Sequence, residues 1–275
     1  MKNLINIFVL LILLNATIYS QFYADSSISE EIIELMKIAD EHAKQNDPSK
    51  GIIKLYSDEE IYHIAKLYYK CYDENPVGFQ KYVYEKHKEW EKAFIDVLTG
   101  KTKLTPWMKV YALKDIISYK YGIPFTEIIS CPAFIKARFD SIYYSSIYIP
   151  ELKSNWSLTN YVFLIEEVLK GNKFFRNGVN CTITFSPNAE APEPEIVKGK
   201  PYLIPITTWV GSQDYKGEIS FCPLREEFHV WVMGKPPKTF PIENDIIKSC
   251  EYFGVKDTSW ADFKNYFKET YLIFD

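Results

Sequence analysis

None of the five cysteines, Cys71, Cys131, Cys181, Cys222 and Cys250, forms a Cys-x-x-Cys pair. Zinc-ribbon and thioredoxin-like readings are therefore excluded at the outset. The chain also lacks a Gly-x-Ser-x-Gly elbow, a phosphate-binding loop and a dinucleotide fingerprint, and its four histidines never form His-Glu-x-x-His. No cofactor is implied. Positive charge is not in excess: 32 Lys and Arg stand against 36 Asp and Glu. Nucleic-acid binding rests on neutralising phosphates, and neither this balance nor any helix-turn-helix, zinc-finger or stacking motif supports it. No internal repeat occurs, and beyond the first twenty residues no apolar run is long enough to cross a bilayer.

Those first twenty residues read as a secretory signal. Lys2 gives a short positive start, Ile7–Leu14 an apolar core, and Ser20 a small residue before polar Gln21. The expected location is secreted or periplasmic. Lys2 is the only charge in this segment, so its removal leaves 31 basic against 36 acidic residues. In an exported chain the cysteines default to disulfides, and an odd number leaves at least one thiol over. Asn155-Trp156-Ser157 and Asn180-Cys181-Thr182 are glycosylation sequons, which matter only in a eukaryotic host.

The period of the apolar residues changes near residue 125. Before it, Ser27-x-x-Glu30 and Ser57-x-x-Glu60 read as capping boxes. They open helices with Ile32, Met36 and Ala39, then Ile61, Ile64, Ala65 and Tyr68, on one face. Asn75-Pro76 opens a third helix, carrying Phe79, Val83, Trp90 and Phe94, and Thr105-Pro106 a fourth, with Val110, Leu113 and Ile117 inward. Gly122 and Pro124 are expected to end it. After Pro124 the period is two. Phe134–Ile149, Tyr161–Leu169, Val179–Phe185, Tyr202–Trp209, Glu218–Cys222 and Phe228–Val232 are candidate strands. Ile242–Phe253 is expected to be a helix, and Thr258-Ser259 to cap a last one over Trp260–Tyr271.

Several of these strands resemble the netrin-like family, best known for the tissue inhibitors of metalloproteinases. Cys131-Pro-Ala-Phe-Ile-Lys-Ala-Arg-Phe139 is similar to that family's first strand, and Tyr161–Gly171, ending in Val-Leu-Lys-Gly, to its second. Tyr202-Leu203-Ile204 is similar to the fourth strand, and Ile219–Cys222 to the one that ends in a cysteine. The likeness spans residues 131–250. It implies a small Greek-key barrel of the OB type and a Cys131–Cys250 disulfide, worth about 4–5 kcal/mol in the chain-entropy model. The family's partner for Cys222 lies in an N-terminal Cys-x-Cys that this chain lacks. Cys181 is then left as its expected partner, and Cys71 as the odd thiol. The missing Cys-x-Cys also argues against metalloproteinase inhibition, which in the family uses a free N-terminal cysteine to chelate the protease zinc.

Candidate chemistry is sparse. Glu227 and His229 are two apart on an expected strand and so share a face, a weak metal site lacking a third ligand. His63 and His87 read as surface residues, and Cys71 as a packed thiol. Tyr143, Tyr144 and Tyr148 lie on a strand whose two faces are both apolar. The helical half is expected to cover it; uncovered, it would be an aromatic strip able to bind protein or glycan.

These readings combine into an α+β chain. A signal peptide (1–20) precedes a helical region (21–124) and a small closed Greek-key, netrin-like OB barrel with C-terminal helices (125–275). The expected function is non-enzymatic binding of an extracellular or envelope protein or glycan, through the barrel face and loops such as Asn188–Pro194 and Gly211–Lys216. The alternative is a secreted, possibly metal-dependent hydrolase using Glu227 and His229.

Overall fold

The computed structural model describes residues 28–45, 54–74, 76, 78–79, 82–83, 106–149, 153–185, 196–210, 219–223, 239–248 and 250–275. The fold is α+β. Helices α1 (Glu30–Gln45), α2 (Asp58–Glu74), α3 (Pro106–Tyr121) and α4 (Ile123–Ile129) precede strands β1 (Ala133–Ile149), β2 (Ser154–Lys170), β3 (Asn180–Phe185), β4 (Pro201–Val210) and β5 (Ile219–Pro223). Short strands β6 (Phe240–Glu243), β7 (Ile246–Ile247) and β8 (Thr258–Ser259) lead into the last helix, α5 (Trp260–Tyr271).

Helix starts follow the expected chemistry, with one displacement. At α2 the capping box is reciprocal: the Ser57 N–H donates to Glu60 Oε2 at 2.8 Å and the Glu60 N–H to Ser57 Oγ at 3.2 Å. At α1 the cap is Ser29 rather than Ser27, with Ser29 Oγ accepting from the Ile32 N–H at 3.4 Å. Ser259 caps α5 through the Asp262 N–H at 3.1 Å. Pro124 does not end the helical region. It sits in the first turn of α4, where its missing N–H costs nothing, and Gly122 at φ 87° only turns the chain between α3 and α4.

The expected helix over Ile242–Phe253 is absent. That stretch is β6, β7 and a 3-10 turn at Cys250–Phe253. Asn244 and Asp245 carry positive φ, so they make a tight turn that a continuous helix could not contain. The strand expected at Phe228–Val232 and most of the third expected helix lie outside the described residues. Of that helix, Phe79 and Val83 are buried.

The sheet is antiparallel and open, in the order β3-β2-β1-β4-β6-β7-β8, with β5 on the same edge of β4 as β6. β3 and β5, at its two flanks, run close beside each other. Strand alternation builds two cores. Ala133, Ile135, Ala137 and Phe139 of β1 face inward with Tyr161, Phe163 and Ile165 of β2, Ile183 of β3, and Tyr202, Ile204 and Ile206 of β4. On the opposite face, Phe134 and Leu203 join α1–α4 and α5 in one continuous apolar core, with Phe134 and Phe267 ring centroids 5.0 Å apart. The sheet thus has its own interior on one side and the helices on the other.

Candidate functional site

Two features stand out, a buried corner at Lys170–Gly171 and an extended β1–β2 ribbon. The corner closes the strand that ends in Val-Leu-Lys-Gly. Gly171 has φ 91°, and a Cβ there would lie 2.6 Å from Ala133 Cβ and 2.7 Å from the Pro132 oxygen. Only glycine lets β2 turn so tightly against the start of β1. Its neighbour Lys170 is 3% exposed. The Lys170 ammonium donates to the Cys131 carbonyl at 2.6 Å and lies 4.3 Å above the Tyr69 ring of α2. Burial pulls its pKa down to about 8, against the opposing pull of Asp73 and Asp275. Around it, Tyr69 Oη donates to Asp275 Oδ1, and Lys173 pairs with Asp73 at 3.4 Å. The corner therefore ties β1, β2, α2 and the last residues together through polar groups inside an apolar shell.

A second cluster fixes α5 to the sheet. Glu167 Oε2 accepts from Trp260 Nε1 at 2.7 Å and Oε1 from Lys264 Nζ at 2.8 Å. Burial would raise the Glu167 pKa, but the bonds from Lys264 and Trp260 outweigh it and hold the carboxyl below its ordinary value. Lys136 Nζ lies 5.1 Å over the Trp260 ring. At the base of α4, Tyr252 Oη donates to Glu127, and burial beside that carboxylate pushes the phenol well up. All three arrangements join one element to another through polar side chains.

The ribbon is different. Among the described residues, β1 pairs with β4 from Ala133 to Arg138, and β2 with β3 from Thr159 to Leu164. Yet β1 and β2 remain paired with each other out to Ile149 and Ser154. Among the described residues the outer part is a two-stranded ribbon, along which Ile142, Tyr143 and Tyr144 are 38, 49 and 72% exposed. Among the described residues no helix covers Ile142, Tyr143 and Tyr144, contrary to the sequence expectation. The described helices pack on the first part of β1, through Phe134.

Among the described residues the cysteines join no group of three or more metal-ligating side chains. Cys71, Cys131, Cys181 and Cys250 carry buried thiols. The Cys131 thiol donates to the Glu127 carbonyl at 3.3 Å and the Cys250 thiol to the Ile247 carbonyl at 3.4 Å, both within the helix-side core. Burial pushes Cys181 up to about 12 and Cys250 up to about 11, and raises Cys71 as well, so none is poised as a thiolate. Cys181 pairs with Phe163 on the inward face, and Cys222 is the backbone partner of Thr207.

His63 Nε2 lies 2.9 Å from exposed Glu34, and His42 Nδ1 2.7 Å from Tyr56 Oη. His87, Glu227, His229 and the loops Asn188–Pro194 and Gly211–Lys216 lie outside the described residues. Among the described residues, no group of three or more His, Cys, Asp and Glu side chains could hold a metal ion, and no helix is long and apolar enough to cross a membrane. Both sequon asparagines, Asn155 and Asn180, are exposed.

Of these features, sequence reasoning found the Lys-Gly corner and the aromatic strand. It missed the burial of Lys170 and Glu127. For Lys170 a signal existed: the lysine directly ends an apolar run, Val168-Leu169, with no polar residue between it and the core.

No family model, curated protein or solved structure matches the chain.

Proposed function

We propose that this is an exported, non-enzymatic binding protein built on a netrin-like OB barrel, with the β1–β2 ribbon as its contact surface. The observation that carries the reading is the exposure of Ile142, Tyr143 and Tyr144 on the stretch of β1 beyond its described pairing with β4. Singly exposed apolar residues need no explanation, but three in succession on a projecting ribbon suit recognition. Its composition supports the same view: Tyr143 and Tyr144 stand among Ser141, Ser145, Ser146 and Asn155. Tyrosine and tryptophan supply rigid, amphipathic contact area, and serine and asparagine adaptable hydrogen bonds, the mixture that paratopes use. The partner would be an extracellular or envelope protein or a glycan.

The barrel part of the proposal is supported by strand neighbours. β1 pairs with β2 and β4, β2 with β3, β4 with β5, and β3 runs beside β5. Closing the ring between β3 and β5 would complete the five-stranded order of an OB barrel around the inward core. The Cys131–Cys250 bond belongs to the same proposal, and peptide mapping of the exported protein without reductant tests it.

The function is tested by comparing capture from the exported fraction, and binding to a glycan array, for the native chain and for Tyr143→Ser/Tyr144→Ser. Ligands held by the native chain and lost by the variant are the expected result. Equal retention by both, or a stoichiometric metal with hydrolytic activity in the purified protein, would overturn it.

A further inference from the structure

We infer that Leu272–Asp275, the four residues after α5, form a strap that lifts without unfolding of the sheet and, when closed, seals Tyr69 over the buried ammonium of Lys170. The inference concerns the Lys-Gly corner rather than the ribbon, so it can fail while the binding reading stands. Three observations support it. First, the strap grips the residue that lies against the lysine. The Tyr69 ring has the Lys170 ammonium 4.3 Å from its centroid and the Phe274 ring 5.6 Å away, and the Tyr69 hydroxyl donates to Asp275 Oδ1. Tyr69 and Lys170 are each 3% exposed.

Second, the strap is held by side chains. Among the described residues, its backbone bonds run from the Leu272 N–H to the Lys268 carbonyl and from the Asp275 N–H to the Leu272 carbonyl, both at 3.3 Å, and so stay within α5 and the strap. Phe274 reaches Tyr62 of α2 and Phe125 of α4, at 5.3 and 6.2 Å between ring centroids, but is itself half-buried. Ile273 and Asp275 are exposed. A segment with few buried contacts, tied by side chains alone, opens at a small fraction of the global free energy.

Third, what lies beneath gains from the opening. A buried ammonium is held against a cost of desolvation, which water admitted at the corner removes. The Lys170 ammonium faces the Cys131 carbonyl at 2.6 Å and the Cys131 thiol, Asp73 of α2, itself paired with Lys173 at 3.4 Å, and Asp275 of the strap. Lifting the strap withdraws Asp275 and leaves the others in place. Hydration of the ammonium offsets that loss, while the bond to Cys131 and the pull of Asp73 keep the lysine at the corner.

The test is acetylation of the full folded chain by succinimidyl acetate, read by peptide mass mapping, with exposed Lys198 as the internal standard. In the native chain Lys170 should react more slowly than Lys198. Urea below the unfolding transition should leave that ratio unchanged, since a strap that lifts alone exposes little surface. Phe274→Ala removes the strap's ring contacts and should raise the Lys170 rate about tenfold relative to Lys198. Circular dichroism checks that the variant folds, and Phe274→Leu, which returns apolar bulk, should recover part of the protection. Lys170 as protected in Phe274→Ala as in the native chain, or acetylation that follows global unfolding in urea in all three chains, would overturn the inference.

Discussion

The ammonium of Lys170 lies 2.6 Å from the carbonyl oxygen of Cys131, across the corner where β2 ends and β1 begins. A charge so thoroughly buried survives because several groups answer it: the Cys131 carbonyl, the Tyr69 ring face, and the carboxylates of Asp73 and Asp275. The Lys-Gly ending of β2 is thus two devices in sequence. The lysine anchors the strand ends by a charged hydrogen bond, and the glycine allows the backbones to approach.

Gly171→Ala should be strongly destabilising. The new Cβ would sit 2.6 Å from Ala133 Cβ in a backbone with φ 91°, so it meets both a clash and an unfavourable conformation. Together these should cost on the order of 2–4 kcal/mol. Gly178, at φ 78° with open space around its missing Cβ, is the control, and its alanine variant should lose only about 1 kcal/mol. Urea unfolding of the two variants checks the difference; equal losses would mean that packing at the Lys-Gly corner is not tight.

Lys170→Met should reveal a pH dependence opposite to that of the thiols. The folded amine titrates at about 8, against an ordinary value of 10.5. Below pH 8 both states hold the proton, and burial of the charge opposes folding in full. Between 8 and 10.5 only the unfolded chain keeps it, so the lysine's contribution to stability rises with pH by up to about 3 kcal/mol. Cys181, raised to about 12, and Cys71, raised as well, act the other way, because the unfolded thiols ionise first. They act equally on native and variant chains and cancel in the comparison. Urea unfolding at intervals from pH 7 to 10.5 should show the native chain gaining on Lys170→Met. A flat difference would mean that the amine is hydrated.

The two periods of the chain were legible because each element buries one face. Ile61, Ile64 and Tyr68 recur at helical spacing, and Ile135, Ala137 and Phe139 alternate, so residue type alone reports the direction of the core. Where apolar residues fall on both faces the pattern is silent. Ile142, Tyr143 and Tyr144 could not report whether helices or solvent lay beyond them, because a strand apolar on both faces carries no record of its neighbour. The stretch from Ile242 misleads for a related reason. Its spacing suits a helix, but the turn at Asn244-Asp245 is a local backbone choice that periodicity does not encode. The Glu167 cluster joins residues almost a hundred positions apart and was not legible at all.

That cluster has a consequence in acid. Glu167 is held below its ordinary carboxylate value by Lys264 and Trp260, which outweigh its burial. A carboxyl lowered by folding contributes stability that is present in full above about pH 4.5 and lost as the pH falls through its folded value. Glu167→Gln should therefore lower stability at pH 7 and flatten the acid side of the stability curve below pH 4.5. Thermal melts of both chains from pH 7 to 3 test this, and parallel curves would place the acid sensitivity elsewhere.

The ribbon makes the sharpest contrast, because neighbouring aromatic residues on one strand should behave oppositely. Phe139, at its base, is buried against Tyr161 and Phe163, with ring centroids 5.8 and 5.5 Å away. Phe139→Ala should cost about 3–5 kcal/mol, the ordinary loss for an aromatic core residue. Tyr144, five residues further out, is 72% exposed and has little packing to lose. Tyr144→Ser should change stability by no more than about 0.5 kcal/mol. If the ribbon is the contact surface, the same substitution should still abolish retention of whatever the native chain captures. Unfolding measurements on Phe139→Ala and Tyr144→Ser, paired with capture by each folded protein, separate the two roles. A Tyr144 variant that melts early would show that the strip belongs to the core; one that melts normally and binds normally would remove the ribbon from recognition.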